Sequence, residues 1–262
     1  MRHLAKRDIM KQTTPYMLVA SLFLLFQLTT LAQEPREHPL IPAINLAQQS
    51  LNTLNQVQDY EAIFTKRELV NGKLISQRMQ LKLREKPFSV YMKFLEPNAG
   101  REILFVQGRN QNQLRAHEPG ALQSLVGTIS LSTNSPTVMA ENRHQITDVG
   151  MRRLLEQLIK QWTLESRYGE IDVQFYPNAM MGQIPCEVIE SKHPQPRKQF
   201  NFHITRLFLD KKSRLPIRIE NYGWPQQGQR PPIIEEYTYT NVRLNVGLTE
   251  KDFSEQNQAY SF

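Results

Sequence analysis

Apolar residues along this chain recur with two periods, and the switches between them mark the elements. After a Pro-containing leader (Pro35, Pro39, Pro42), apolar side chains at Leu40, Ile44, Ala47, Leu51 and Leu54 follow a helical stripe. From Tyr60 the period falls to two. Runs Tyr60 to Val70 and Lys73 to Arg84 flank Asn71-Gly72, a pair suited to the positive φ angles of a tight hairpin turn. In the second arm Met79, Leu81 and Leu83 alternate with Gln80, Lys82 and Arg84, which predicts one dry and one wet face.

Shorter strand-like runs follow at Ser89 to Phe94, Glu102 to Val106 and Gln113 to His117, punctuated by Pro87, Pro97, Gly100, Gly108 and Asn110. Residues 120–147 carry no clear period. A strong helical stripe then appears, with Met151, Leu154, Leu155, Leu158, Ile159 and Trp162 on one side and Asp148 placed to cap the start. Strand signals resume at Glu170 to Tyr176, Ile184 to Ser191, Gln199 to Asp210, Leu215 to Tyr222 and Ile233 to Leu244. In the third of these, Phe200, Phe202 and Ile204 alternate with Asn201, His203 and Thr205.

The order helix, strands, helix, strands lacks the alternation that builds parallel sheets. It predicts an α+β, mainly antiparallel β fold of about ten strands and two principal helices. Ten strands in a flat layer would expose apolar surface and open edges, so a strongly curved, open half-barrel sheet with both helices on its concave side is expected. A two-sheet sandwich is the competing solution.

The N-terminus changes the picture of location. Arg2, Lys6, Arg7 and Lys11 precede an apolar run from Met17 to Leu28 and a polar close ending at Ala32, the order of a cleavable signal peptide. The run is shorter than the roughly 20 residues a bilayer-spanning helix needs. The chain is therefore expected to divide into a signal, residues 1–32, and a single domain, residues 33–262, exported to the periplasm or secreted and soluble after cleavage; an uncleaved anchor is the alternative. Residues 1–32 hold four of the 32 basic residues and one of the 25 acidic ones, so the formal charge of +7 falls to +4 in the remainder. That modest excess allows weak contact with an anionic membrane surface but not a nucleic-acid stripe. Cys186 is the one cysteine, so no internal disulfide forms.

Candidate chemistry is sparse. His38, His117, His144, His193 and His203 fall in no metal-binding spacing, no nucleophile elbow or phosphate loop is present, and Glu235-Glu236 on a strand would point to opposite faces. No catalytic residue, metal or cofactor is expected. Arg101, Glu102, His117, Arg143 and His144 form a candidate polar site, provided that folding gathers them. The apolar content is more suggestive. Phe64, Met79, Leu81, Met92, Phe94, Met151, Leu155, Leu158, Trp162, Phe200 and Phe202, with Met139, Met180 and Met181, would line an adaptable apolar groove or else fill an ordinary core.

Three segments carry a family resemblance: Lys93-Phe94-Leu95-Glu96-Pro97-Asn98-Ala99-Gly100-Arg101-Glu102, Asn142-Arg143-His144, and Leu248-Thr249-Glu250-Lys251-Asp252-Phe253. Over about Leu46 to Phe262 the chain resembles DUF1571, exported bacterial proteins of unknown function. More distantly, the element order is similar to that of the LolA/LolB-type lipoprotein carriers, which hold acyl chains in an open half-barrel closed by helices. That resemblance implies a LolA-like domain over residues 33–262 and a carrier or binding protein for a lipid, a lipoprotein acyl chain or another amphiphile. A non-catalytic structural or partner-binding envelope protein is the alternative, and an enzyme built on Arg101, Glu102, Arg143 and His144 is the third.

Overall fold

A computed structural model of the chain describes residues 37–120 and 127–262; the expected signal peptide lies outside the described residues. Eleven strands form one sheet: β1 (Asp59–Val70), β2 (Lys73–Arg84), β3 (Ser89–Glu96), β4 (Glu102–Val106), β5 (Gln113–His117), β6 (Ile129–Ser132), β7 (Asp172–Met181), β8 (Ile184–Lys192), β9 (Ile204–Asp210), β10 (Pro216–Tyr222) and β11 (Ile233–Leu244). The order is β6-β5-β4-β3-β2-β1-β11-β10-β9-β8-β7, antiparallel at every described pairing. Among the described residues three α-helices accompany it: α1 (Leu40–Leu54), α2 (Pro136–Met139) and α3 (Met151–Glu165). The mainly antiparallel open sheet is therefore as expected, with β6 and α2 drawn from the stretch that carried no period.

Register explains how the interior is built. Asn71 and Gly72 adopt φ of 50° and 77°, the paired positive values that a two-residue hairpin turn requires, and this aligns Phe64 with Met79. Met79 in turn faces Phe94, while Phe64 faces Tyr239 on its other side, so one inward row crosses four strands. A second row, Ala62, Leu81, Met92, Ile103, Ala116 and Ile129, crosses six. The sheet must curl strongly: β6 and β9 stand eight places apart, about 38 Å if flat at the usual spacing, yet Ile129 and Thr205 line one cavity.

The helices close part of the concave side. In α1 the buried set is Leu40, Ala43, Ala47, Ser50 and Leu54, so Ile44 and Leu51 are rotated to the margin of the predicted stripe. Small Ala43 and Ser50 let the helix approach closely, and the Ser50 hydroxyl donates to the Arg214 carbonyl at 2.6 Å. The start of α3 also departs from expectation. Asp148 ends a short 3₁₀ turn, and the capping position is Gly150 at φ 120°. The Tyr60 hydroxyl accepts from the Met151 N–H at 3.1 Å, and a Cβ on Gly150 would come within 2.8 Å of Leu83. A β1 side chain distant in sequence thus does the work of a local cap.

Two further strand expectations are corrected. The third strand after the second helix starts at Ile204, not Gln199, and its inward residues are Thr205, Leu207 and Leu209, so Phe200 and Phe202 belong to the preceding loop. The outer face is not uniformly wet. The C-terminal segment, starting with the 3₁₀ turn Glu250–Phe253, crosses the convex side, where Phe253, Tyr260 and Phe262 pack on Tyr91, Leu104 and Val106. Tyr91 and Tyr260 stack at 3.8 Å, and Arg84 is buried beneath Phe253.

Candidate functional site

Between the curled sheet and α3 lies a cavity of about 710 Å³. Its floor is the register rows: Phe64, Met79, Met92 and Phe94 in the middle, Ile103, Leu114 and Ala116 towards β6, and Ile219 and Tyr239 towards β9. Its roof is a stripe of α3, Leu154, Gln157, Leu158 and Gln161, spaced i, i+3, i+4, i+7. Val138 and Ile146 close one side and Phe202 another.

Of the apolar residues expected in a groove, Phe64, Met79, Met92, Phe94, Leu158 and Phe202 line this cavity. Leu81, Met151, Leu155 and Trp162 instead lie in packed core. On α3 the reason is angular: Met151, Leu155 and Trp162 occupy the stripe pressed against sheet and α1, one position round from the cavity stripe. Trp162 is further fixed by donating to the Ser191 hydroxyl at 3.1 Å. Phe200 is buried at a distance, stacked on His193 at 3.6 Å. Of the remaining methionines, Met139 ends α2, Met181 packs on the core edge, and Met180 is 56% exposed on β7.

The five polar candidates divide between two faces. Arg101 and His144 line the cavity. Glu102, next along the chain, points to the convex side, where it pairs with Lys93 at 2.9 Å and accepts from the Ser261 N–H at 2.9 Å. His117 sits opposite Glu102 in register and shares that outer face. Arg143 lies behind the cavity wall, its guanidinium donating to Glu235 at 3.1 Å and to the Leu69 carbonyl. The candidates are therefore not gathered into one site.

A different polar group is gathered at one end of the cavity. The inward residues of β1 read Tyr60, Ala62, Phe64, Lys66 and Glu68, apolar and then abruptly charged. Lys66 donates to Glu68 at 3.2 Å, to the Asn142 amide oxygen and to the Glu141 carbonyl. Glu68 also accepts from the Tyr237 hydroxyl at 2.6 Å and the Arg143 N–H at 3.0 Å. Arg101 is held by Glu118 and, at 2.7 Å, by Glu141, which Gln77 also approaches through its Nε2. Beyond Tyr237, Glu235 takes His144 at 2.8 Å and Asn221 at 2.8 Å, and Asn221 accepts from Thr205.

These contacts set the protonation pattern. Burial pushes the Lys66 ammonium below its ordinary pKa, although Glu68 opposes this. The hydrogen bond that His144 donates to Glu235 raises the imidazole, with burial opposing. Burial disfavours the charge on Glu235, but His144, Asn221 and Arg143 outweigh it and the carboxyl falls below the usual range. Burial, with Glu235 and Glu68 nearby, drives the Tyr237 phenol far up, so it remains a neutral donor. The arrangement places fixed hydrogen bonds beside an apolar chamber. Sequence reading missed Lys66, Glu68 and Gln77, whose only signal was parity: they share the inward face with Phe64 and Met79.

An open, curled antiparallel sheet with helices over its concave side and a chamber beneath them defines an open half-barrel fold. More particularly, the chain belongs to DUF1571, a family of unknown function whose model matches residues 57–262. Among solved structures it is similar to the Mycobacterium tuberculosis lipoprotein LppX, at 13% identity, TM-score 0.45, over 80% of this chain and 98% of that one. LprF from Mycobacterium bovis matches at 10% identity, TM-score 0.44, over 81% and 97%. A LolA superfamily protein from Nitrosomonas europaea matches at 15% identity, TM-score 0.32, over 80% and 97%. No curated protein matches the chain.

Proposed function

We propose that this protein binds and carries an amphiphile, a lipid or the acyl chain of a lipoprotein, in the chamber beneath α3, and that it does so outside the cytoplasm. The observation that carries this is the chamber itself: about 710 Å³, apolar along its floor and part of its roof, and flanked by methionines. Sites for small molecules commonly enclose about 300–1,000 Å³. Each methylene buried there would contribute about 0.8 kcal/mol. Flexible, polarizable Met79 and Met92 suit chains of variable shape. Export is supported by the basic, apolar and polar order of residues 1–32, and no described helix is long and apolar enough to cross a membrane.

Binding without catalysis is the proposed activity. Arg101 and His144 face the chamber while Glu102 faces away from it, so an acid-base cluster of the four once-candidate residues does not form. The test is native mass spectrometry of protein isolated from its own envelope, followed by titration of the delipidated protein with N-phenyl-1-naphthylamine. A discrete amphiphile adduct is expected, and Leu131→Trp, which fills the chamber from β6, should displace it. A protein that carries no adduct and leaves the fluorophore dark would overturn the proposal.

One observation favours a second role in partner binding. Phe175, Tyr176 and Met180 stand exposed on β7, the outermost strand of the second half of the sheet, whose outer edge is unpaired among the described residues. A photo-crosslinking residue at position 176 in intact cells should then yield a discrete protein adduct, and its absence would remove this role.

A further inference from the structure

We infer that the charged end of the chamber selects the ligand's head group, and that this head is uncharged and bears hydrogen-bond donors, hydroxyl or amide N–H, rather than phosphate or carboxylate. The inference rests on the amphiphile proposal and deepens it.

Three observations converge. First, Gln77 is 3% exposed and lines the chamber, yet its Oε1 has no partner among the described residues. Its Nε2 is turned towards the Glu141 carboxylate, and reversing the amide would set oxygen against oxygen there, so the acceptor is the atom left for a ligand. A buried acceptor without a donor is costly, and a ligand O–H or N–H removes that cost.

Second, the cations at this end are already engaged. Lys66 reaches Glu68, Glu141 and Asn142, while Arg101 is clasped between Glu118 and Glu141. An anionic head would have to break these pairs to gain a counter-charge. It would also meet the carboxylates of Glu68, Glu118, Glu141, Asp148 and Glu235, which outnumber Lys66, Arg101 and His144 on the chamber lining. Third, Glu68, Glu118, Glu141 and Glu235 are each already paired with Lys66, Arg101, His144 or Arg143. A cationic head would therefore lose its hydration without finding a dedicated partner. A neutral head that donates hydrogen bonds satisfies Gln77 and disturbs nothing.

The test compares three probes with twelve-carbon tails, below their micelle concentrations, as competitors of N-phenyl-1-naphthylamine on the full exported chain: monolauroylglycerol, laurate at pH 8, and dodecyltrimethylammonium. Monolauroylglycerol should compete at about tenfold lower concentration than either ion, the worth of one to two net buried hydrogen bonds. Gln77→Leu should shrink that preference to about twofold while tail binding persists. Because a buried substitution risks misfolding, Glu141→Ala, nearer the surface, is the companion variant and should narrow the preference in the same direction by freeing the Gln77 amide to turn. If laurate or the cation competes as well as monolauroylglycerol, the head-group inference falls and the amphiphile proposal stands. If no probe competes, both fall.

Discussion

The two ends of the concave face make an instructive contrast. At one end Tyr60 and Leu83 of the sheet and Met151 and Leu155 of α3 are completely buried in one packed apolar core. At the other, further along β1 and β2 and on neighbouring β11, Lys66, Gln77 and Glu235 are nearly as hidden but border a chamber. Strand alternation is identical at both ends. What differs is whether a helix presses on the sheet, so burial by itself does not distinguish core from binding surface.

Substitutions at neighbouring positions on α3 should break the contrast most forcefully. Leu155→Asp places an unpaired charge in dry core and should abolish folding, a loss above about 4 kcal/mol. Leu158→Asp, at the chamber, should cost about half as much because water can reach the carboxylate, and should leave a folded protein that no longer binds N-phenyl-1-naphthylamine. Urea denaturation followed by circular dichroism separates the two; equal losses would mean that α3 is one uniform core helix.

Next in size is the charged end. Lys66→Met strands Glu68 in a buried site and should cost about 3 kcal/mol. Adding Glu68→Gln should recover part of that loss, since the uncompensated charge then disappears. A double variant no more stable than Lys66→Met alone would show that the pair is already solvated.

A smaller effect concerns pH. His144 is raised, so its contribution is complete below its unfolded pKa of about 6.5 and is lost as pH rises through the folded value. Glu235 is lowered, so its contribution is complete above about 4.5 and is lost as pH falls through the folded value. The pair should thus stabilise most between those limits. With His144 partly exposed, His144→Gln should remove under about 1 kcal/mol near pH 5.5 and much less at pH 9. Chemical denaturation at both pH values checks the sign. Smallest of all, Met180→Asp on β7 should change stability by less than about 0.5 kcal/mol and leave amphiphile binding intact.

Much of the architecture was legible in the residues. Asn71-Gly72 fixed a hairpin and hence a register, and the α3 stripe declared its buried side, because both are local effects. The rest depended on distant partners. Asp148 looked like a cap because nothing nearby announced that Tyr60 would supply the hydroxyl. Phe200 and Phe202 alternated like strand residues, yet tertiary packing drew one onto His193 and the other to the chamber. Six of the eleven apolar groove candidates reached the chamber, since type and parity place a residue inward without saying what lies opposite. Lys66 and Glu68 sat inward in plain parity with Phe64, but charged residues are ordinarily assigned to solvent.

The segment from Glu250 to Phe262 also bears on biogenesis. Tyr91, Leu104 and Val106 belong to strands made early, but the aromatic lid that shields their outer side is among the later residues to emerge. Until it docks, those hairpins present an oily patch to whatever machinery handles the chain. A version stopped after Leu248 should consequently remain sticky and prone to aggregation even with its interior chamber fully assembled.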